Sequence, residues 1–301
     1  MKTLIAYNNK SGHFSFERIK NEIIPELNKY NITDISLYSP TGPRVLNGYI
    51  EEHASEYELL IIFGGDGTLN EAINGLMRIT KRPRVLYIPT GTANDVGHML
   101  GLKKDFKKCF KLLELEPVKM DVCQMNDEYF VYTAGCGKLT GVSYNTHNAK
   151  AKRRFGVFYY YWVGIKEFFS KFRMNIKVKS PDNSAEGTYY LMLLLNSQRV
   201  ASFPIHKKRK VKLNDNEISL LLFNAKKFFA TFSMVRYFLF GDYLKYGIKE
   251  LKGNHFEIES EEPMQMNQDG EKSILEKKII IDVHHLAIDI YASPKSIKKY
   301  F

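Results

Sequence analysis

Three short stretches carry residues whose types and spacing could do chemistry: GGDGTLNE at 64–71, PTGTANDVG at 89–97 and QDGE at 268–271. The first follows the apolar run LLIIF and precedes an amphipathic segment. An acidic residue, Asp66, therefore stands among Gly64, Gly65 and Gly67 where a buried strand hands over to a helix. Glycine is favoured where the backbone turns through positive φ or where another group must come very close. The helix that follows offers free N–H groups, and its dipole favours an anion. A carboxylate facing that anion makes sense with a cation between them, and a magnesium ion on a nucleotide phosphate meets that need. Read structurally, the same turn is a tight turn with an aspartate cap. A second glycine-containing turn at a neighbouring strand end favours the phosphate site. Asp95 in that second turn has two readings: support for the metal or its water shell, or a cap for the helix containing Val96 and Met99. QDGE taken alone is an ordinary hairpin turn.

Positioning these turns requires regular elements before them. TLIAYN, DISLYS, ELLIIF and RVLYIP read as short buried strands, and FERIKNEIIPELNKY places Ile19, Ile23 and Leu27 at helical spacing. Such alternation predicts a parallel sheet with helices on both faces, whose ligands bind beyond the carboxyl ends of the strands. Both glycine turns fall at strand ends of this kind. Near Pro117 the texture changes, and VKMDVCQMNDEYFVYTAG reads as two strands joined by an Asn126–Asp127 turn. NIKVKS, YYLMLLLNS, EISLLLF, HFEIES and KKIIIDV follow as further β segments. The expected fold is α/β plus all-β. It comprises an N-terminal three-layer α/β domain with a mainly parallel sheet over 1–118, with the tail 293–301 returning to it. An antiparallel β-rich, sandwich-like domain spans 119–292.

With 301 residues, 44% apolar and 26% charged, the chain reads as globular rather than disordered. Its 44 basic and 33 acidic residues leave a net charge of +11, which suits a polyanionic partner: nucleic acid, an anionic membrane or a nucleotide. Cys109, Cys123 and Cys136 are scattered, against both a disulfide scaffold and a zinc site. MKTLIAYNNKSG is no signal peptide, and the apolar run 228–240 is short and contains Arg236. A cytoplasmic protein is the expectation.

GGDGTLNE, PTGTANDVG and DGE, in that order, resemble the diacylglycerol kinase catalytic family, which includes bacterial lipid kinases and sphingosine and ceramide kinases. NNKSG at 8–12 is similar to that family's Asn-Pro-x-Ser-Gly turn, with Asn9 in the proline's place. NAD kinases and phosphofructokinases share the first motif alone; the second turn and the DGE narrow the match to lipid kinases. The resemblance implies ATP and Mg2+ as cofactors, with nucleotide bound by Asn8, Lys10, Ser11, Gly12, Ser39, Gly64, Gly65, Asp66, Gly67, Thr68, Leu69, Asn70 and Thr92. Thr41 competes with Ser39 for its place. Asp66 would hold the catalytic magnesium directly or through water, Asp95 would support it, and Glu271 would be the general base. In KLNDNE a structural magnesium is implied, on the Asp215 side chain with the carbonyls of Lys212 and Glu217. An ordinary Asp-Asn turn is the alternative, with Asn216 tolerating a left-handed conformation.

The densest basic segments are 149–162, which is also aromatic, and 206–210. They read as solvated faces, as contacts to an anionic membrane surface, or as nucleic-acid contacts. A lipid acceptor favours the membrane, so a cytoplasmic protein peripherally associated with it is expected, without a nucleic-acid partner and with a homodimer left open. The phenylalanine-rich stretch 226–246 places one apolar stripe in a core and a second where it could line a lipid pocket. Segment 194–210 lacks the triple glycine of many family members, which leaves the acceptor open. An ATP-dependent lipid kinase is the leading function. The alternatives are a kinase of a soluble acceptor, NAD-kinase-like, and an idle nucleotide- and membrane-binding regulator.

Overall fold

A computed structural model describes residues 1–8, 15–137, 172–200, 203–204, 211–225, 247–269 and 271–301, with backbone alone at 199–200, 203–204 and 271–274. The expectations for Lys10, Ser11 and Gly12, and for 149–162, 206–210 and 226–246, fall outside the described residues.

Strands β1 (Thr3–Tyr7), β2 (Ile35–Tyr38), β3 (Leu59–Gly64) and β4 (Arg84–Pro89) pair in parallel in the order β4-β3-β1-β2. β1 and β3 are buried along their whole length, as continuous apolar runs in a parallel sheet require. The first helical stretch runs from α1 (Phe16–Arg18) through a π turn, Ile19–Ile23, into α2 (Ile24–Asn28). It buries Ile19, Ile23 and Leu27, the face its spacing predicts. Next come α3 (Val45–His53), α4 (Asp66–Leu76), α5 (Asp95–Met99) and α6 (Phe106–Phe110).

Beyond these the chain becomes β-rich. β5 (Val118–Met125) and β6 (Glu128–Phe130) form a hairpin closed by Asn126 and Asp127, with Asn126 at φ +50°. β7 (Thr133–Gly137), β8 (Met174–Lys179), β9 (Ser184–Leu195), the short pair β10 (Arg199–Val200) and β11 (Phe203–Pro204), β12 (Ile218–Asn224), β13 (Ile248–Gly253), β14 (His255–Gln268) and β15 (Glu271–Ile290) follow. β7 to β9 and β12 to β14 pair antiparallel, and so do β14 with β15 and β15 with β5. The architecture is thus mixed α/β with an antiparallel, β-rich C-terminal region.

One strand joins the two regions. β15 pairs with β14 over Glu271–Asp282 and with β5 over Ile281–Ile290, and its last residue, Ile290, also pairs in parallel with Val85 of β4. Parallel and antiparallel strands therefore belong to one 13-stranded sheet among the described residues. Two apolar cores lie on it. The first surrounds β1, β3 and β4 and recruits Met120, Val122, Val131, Tyr132 and Leu213; the second gathers Cys123, Met192, Leu194, Met264, Met266 and their neighbours. Helix α7 (Pro294–Tyr300) closes on the first core: the Ser293 N–H donates to Leu100 O at 2.8 Å, and Ile297 packs inward. The three cysteines are free and buried. No described helix is long and apolar enough to cross a membrane.

Candidate active site

Because β4, β3, β1 and β2 are parallel neighbours, their carboxyl ends line one edge. Asn8 follows β1, Ser39 follows β2, Gly65 follows β3, and the Thr90–Thr92 turn follows β4. The Asn8 N–H donates to Phe63 O at 3.2 Å, tying the end of β1 to β3. The nucleotide residues expected from sequence are brought together here wherever they are described.

The two glycine turns pack backbone against backbone. The Thr90 N–H donates to Gly64 O at 2.7 Å. A Cβ on Gly91 would lie 2.7 Å from Gly65 Cα, and one on Gly64 would lie 2.4 Å from Thr68 Cβ. Gly65 has φ −89°, and neither Gly64 nor Gly67 is in the left-handed region. Close approach, rather than positive φ, is why glycine is needed in this turn. The left-handed residue of the second turn is Asn94, at φ +51°. Its side-chain amide donates to Gly91 O at 2.7 Å, and the Tyr87 hydroxyl donates to its Oδ1 at 3.4 Å.

Asp66 opens α4 but serves another helix. Its Oδ2 accepts the Asp95 N–H at 3.1 Å and its Oδ1 the Val96 N–H at 3.3 Å, so it caps α5. Burial, followed by the like charge of Asp95, pushes the Asp66 carboxyl up to about 6, against the pull of those two N–H donors. Asp95 is itself fully buried, and the Thr90 hydroxyl is buried without a partner. Two carboxylates beside converging glycine turns make an electronegative spot that a divalent cation bridged to phosphate would neutralise. No group of three or more His, Cys, Asp or Glu side chains suited to a metal occurs among the described residues. Phosphate and water would have to complete such a shell, which is how magnesium is usually held.

The DGE turn is fixed to the same helix. Asp269, 5% exposed and at φ +46°, accepts the Asn70 amide at 2.9 Å and the N–H groups of Val131, Tyr132 and Thr133 at 2.8, 3.1 and 3.0 Å. Burial raises the Asp269 pKa, and these donors oppose the rise. The Asn70 amide also donates to Tyr129 O at 3.0 Å. One turn further along α4, the Asn74 amide donates to Tyr129 O at 2.8 Å, and its Oδ1 accepts the Tyr129 N–H at 2.9 Å. α4 thus carries the glycine turn at its start and docks on the β5–β6 hairpin and the DGE turn with the same face. Asn70 is committed to that docking. Glu271 begins β15 opposite Gln268, directly beyond the turn that Asp269 anchors.

The Lys212–Glu217 loop lies elsewhere, on Asp121. That buried carboxylate accepts the Asn216 and Leu286 N–H groups, each at 2.7 Å, and pairs with His285 Nδ1 at 2.9 Å. Asn216 is left-handed, at φ +58°. Partial burial of the Asp215 carboxyl, with the charges of Glu217 and Asp121, raises its pKa.

Asp269, Asn74 and Asp121 were not singled out by sequence reasoning. Asp269 had a usable signal, an acid in a turn beside a candidate base. Asn74 and Asp121 had none, because the groups they dock on, Tyr129 for Asn74 and Asn216 and Leu286 for Asp121, are 55 and 95 to 165 residues away.

Residues 2–125 match the family model of the diacylglycerol kinase catalytic domain. Over 272 residues the chain is 30% identical to a diacylglycerol kinase of Staphylococcus carnosus, covering 89% of this chain and 87% of that one. It is 32% identical over 272 residues to a diacylglycerol kinase of Staphylococcus epidermidis, covering 89% and 84%. Its fold superposes on the crystal structure of a putative diacylglycerol kinase from Bacillus anthracis with a TM-score of 0.83, at 24% identity and with 98% of each chain covered.

Proposed function

Because the chain belongs to the diacylglycerol kinase catalytic family and is a diacylglycerol kinase-like lipid kinase, we propose that it transfers the γ-phosphate of ATP to a hydroxyl of a diacylglycerol-like lipid. The observation that carries this reading is the convergence of Asp66, Asp95 and two interlocked glycine turns on the strand-end edge, with the DGE turn fixed to the same helix. Phosphoryl transfer asks a protein mainly to position its reactants and neutralise charge. The run Gly64 to Asn70, through the free backbone N–H groups at the start of α4, with Asn8, Lys10, Ser11, Gly12, Ser39 and Thr92, would hold the nucleotide phosphates and ribose. Asp66 and Asp95 fit magnesium, which would supply charge neutralisation on the phosphates. Asp66 keeps lone pairs beyond its two helix-capping bonds for a metal-bound water. Glu271 would take the proton of the acceptor hydroxyl.

In this reading residues 1–118, with the tail 293–301, bind nucleotide, and 119–292 bind the acceptor and carry the base. Basic segments 149–162 and 206–210 would rest on an anionic membrane surface, making the enzyme peripheral and cytoplasmic, with no part for nucleic acid. A structural magnesium would use Asp215 and the carbonyls of Lys212 and Glu217. A homodimer is compatible with the reading.

The test is transfer of labelled phosphate from ATP to a detergent-dispersed lipid extract, with and without magnesium. A magnesium-dependent lipid band, reduced by about a hundredfold or more in Glu271→Ala while the variant stays folded, is expected. Label confined to a water-soluble product would move the enzyme to a soluble acceptor. Full turnover in Glu271→Ala would remove that residue from the chemistry.

A further inference from the structure

The last residue of β14, Gln268, buries an amide N–H group that no described residue satisfies. It is 4% exposed, and its Nε2 has no hydrogen-bond partner among the described residues. Its direction follows from the register. Gln268 lies opposite Ala134 of β7 and Met266 lies opposite Cys136, while Ala134 and Cys136 lie opposite Leu194 and Met192 of β9. Residues directly opposite across antiparallel strands share a face. Met266, Ala134, Cys136, Met192 and Leu194 all belong to the second apolar core. Gln268 is therefore the polar member of a core-facing row of methionine, leucine, cysteine and alanine. A buried amide N–H group without a partner destabilises the protein that carries it, and leucine or methionine would fill this position without that cost. The group lies one residue before Asp269 and three before Glu271, where the base turn meets the second core.

We propose that Gln268 is a specificity-determining residue whose amide N–H binds an ester carbonyl oxygen of the acceptor lipid. The inference rests on the lipid-kinase reading above and deepens it. The donor faces apolar side chains, as an acyl chain requires, and a carbonyl can only accept a hydrogen bond. The acceptor would thus be held by its ester while its free hydroxyl reaches Glu271. Gln268 is destabilising until acceptor arrives, which is how a binding group differs from a structural one.

The experiment compares wild type with Gln268→Met on a short-chain diacylglycerol and on its dialkyl ether analogue, in mixed micelles with saturating magnesium and ATP. Gln268→Leu serves as a second variant. Wild type is expected to prefer the ester by about tenfold in kcat/KM, the order of one neutral hydrogen bond. In the variants that preference falls to near unity, the KM for ATP stays within about twofold, and the Tm is unchanged or rises by about 2–4 °C. An ester preference that survives both substitutions overturns the inference, and so does a wild type that treats ester and ether alike. A fall in Tm with equal loss on both acceptors would make Gln268 structural and also overturn it. Wild type that phosphorylates neither lipid would sink the lipid-kinase reading as well, and is told apart because it appears before any variant is made.

Discussion

Asp66 is expected to make the protein less stable at neutral pH than its fold requires. Its carboxyl is raised from an ordinary 3.8 to about 6, first by burial and then by the charge of Asp95. A folded-state value above the unfolded one means that folding favours the protonated acid. The stabilisation is therefore complete below about pH 4, declines as pH rises and is gone above about pH 6. The shift corresponds to about 3 kcal/mol between those limits. Asp66→Asn keeps the shape, cannot ionise, and can accept only one of the two N–H groups of Asp95 and Val96. At pH 4 the variant should be the less stable protein, by the worth of the lost cap bond. By pH 7.5 that gap should have closed by about 3 kcal/mol or reversed. Urea denaturation of both proteins across this range, in the absence of nucleotide and divalent cation, measures the gap directly. Parallel stability curves, with a gap constant to about 0.5 kcal/mol, would refute the argument. Turnover should run the other way: under the proposed function the variant should lose about a hundredfold or more of its lipid phosphorylation, since it has given up the carboxylate that would face the metal.

Asp269→Asn turns an amide toward backbone donors that now meet a carboxylate, losing two charge-assisted bonds. We expect about 3–5 kcal/mol of destabilisation by chemical denaturation, and a loss under 1 kcal/mol would show that the anchor is unimportant. Gly91→Ala drives a Cβ to 2.7 Å from Gly65 Cα. It should cost about 1–3 kcal/mol and weaken ATP binding about tenfold or more in a calorimetric titration, whereas an unchanged affinity would mean that the interlocked turns do not form the phosphate cradle. Asp215→Ala should abolish any rise in Tm produced by millimolar magnesium while leaving the KM for ATP unchanged; a persisting rise would place the stabilising cation elsewhere.

The sequence by itself determined what depends on neighbours along the chain. Continuous apolar runs marked the strands at Leu59–Gly64 and Arg84–Pro89, and four-residue spacing marked the buried face of Ile19, Ile23 and Leu27. Asn126 and Asn216 both occupy the left-handed turns that their residue type tolerates. The glycine turns were legible for the same reason, since a missing side chain is a local fact, although the sequence could not say whether it served backbone angle or close approach. Tertiary structure decided where the buried polar groups found partners. Asp66 caps a helix that begins 29 residues later, and Asp269 finds its donors between 136 and 199 residues away. β15 merges the antiparallel strands and the parallel strands into one sheet, which a division of the chain at a change of texture does not foresee. Gln268 is another such case, because alternation along β14 marks it as inward-facing but only the packed neighbours show that its Nε2 has no partner among the described residues. A backbone's local conformation is set by its own residues, whereas the partner of a buried dipole or charge depends on which strands and helices lie beside it. No spacing in the sequence records that adjacency.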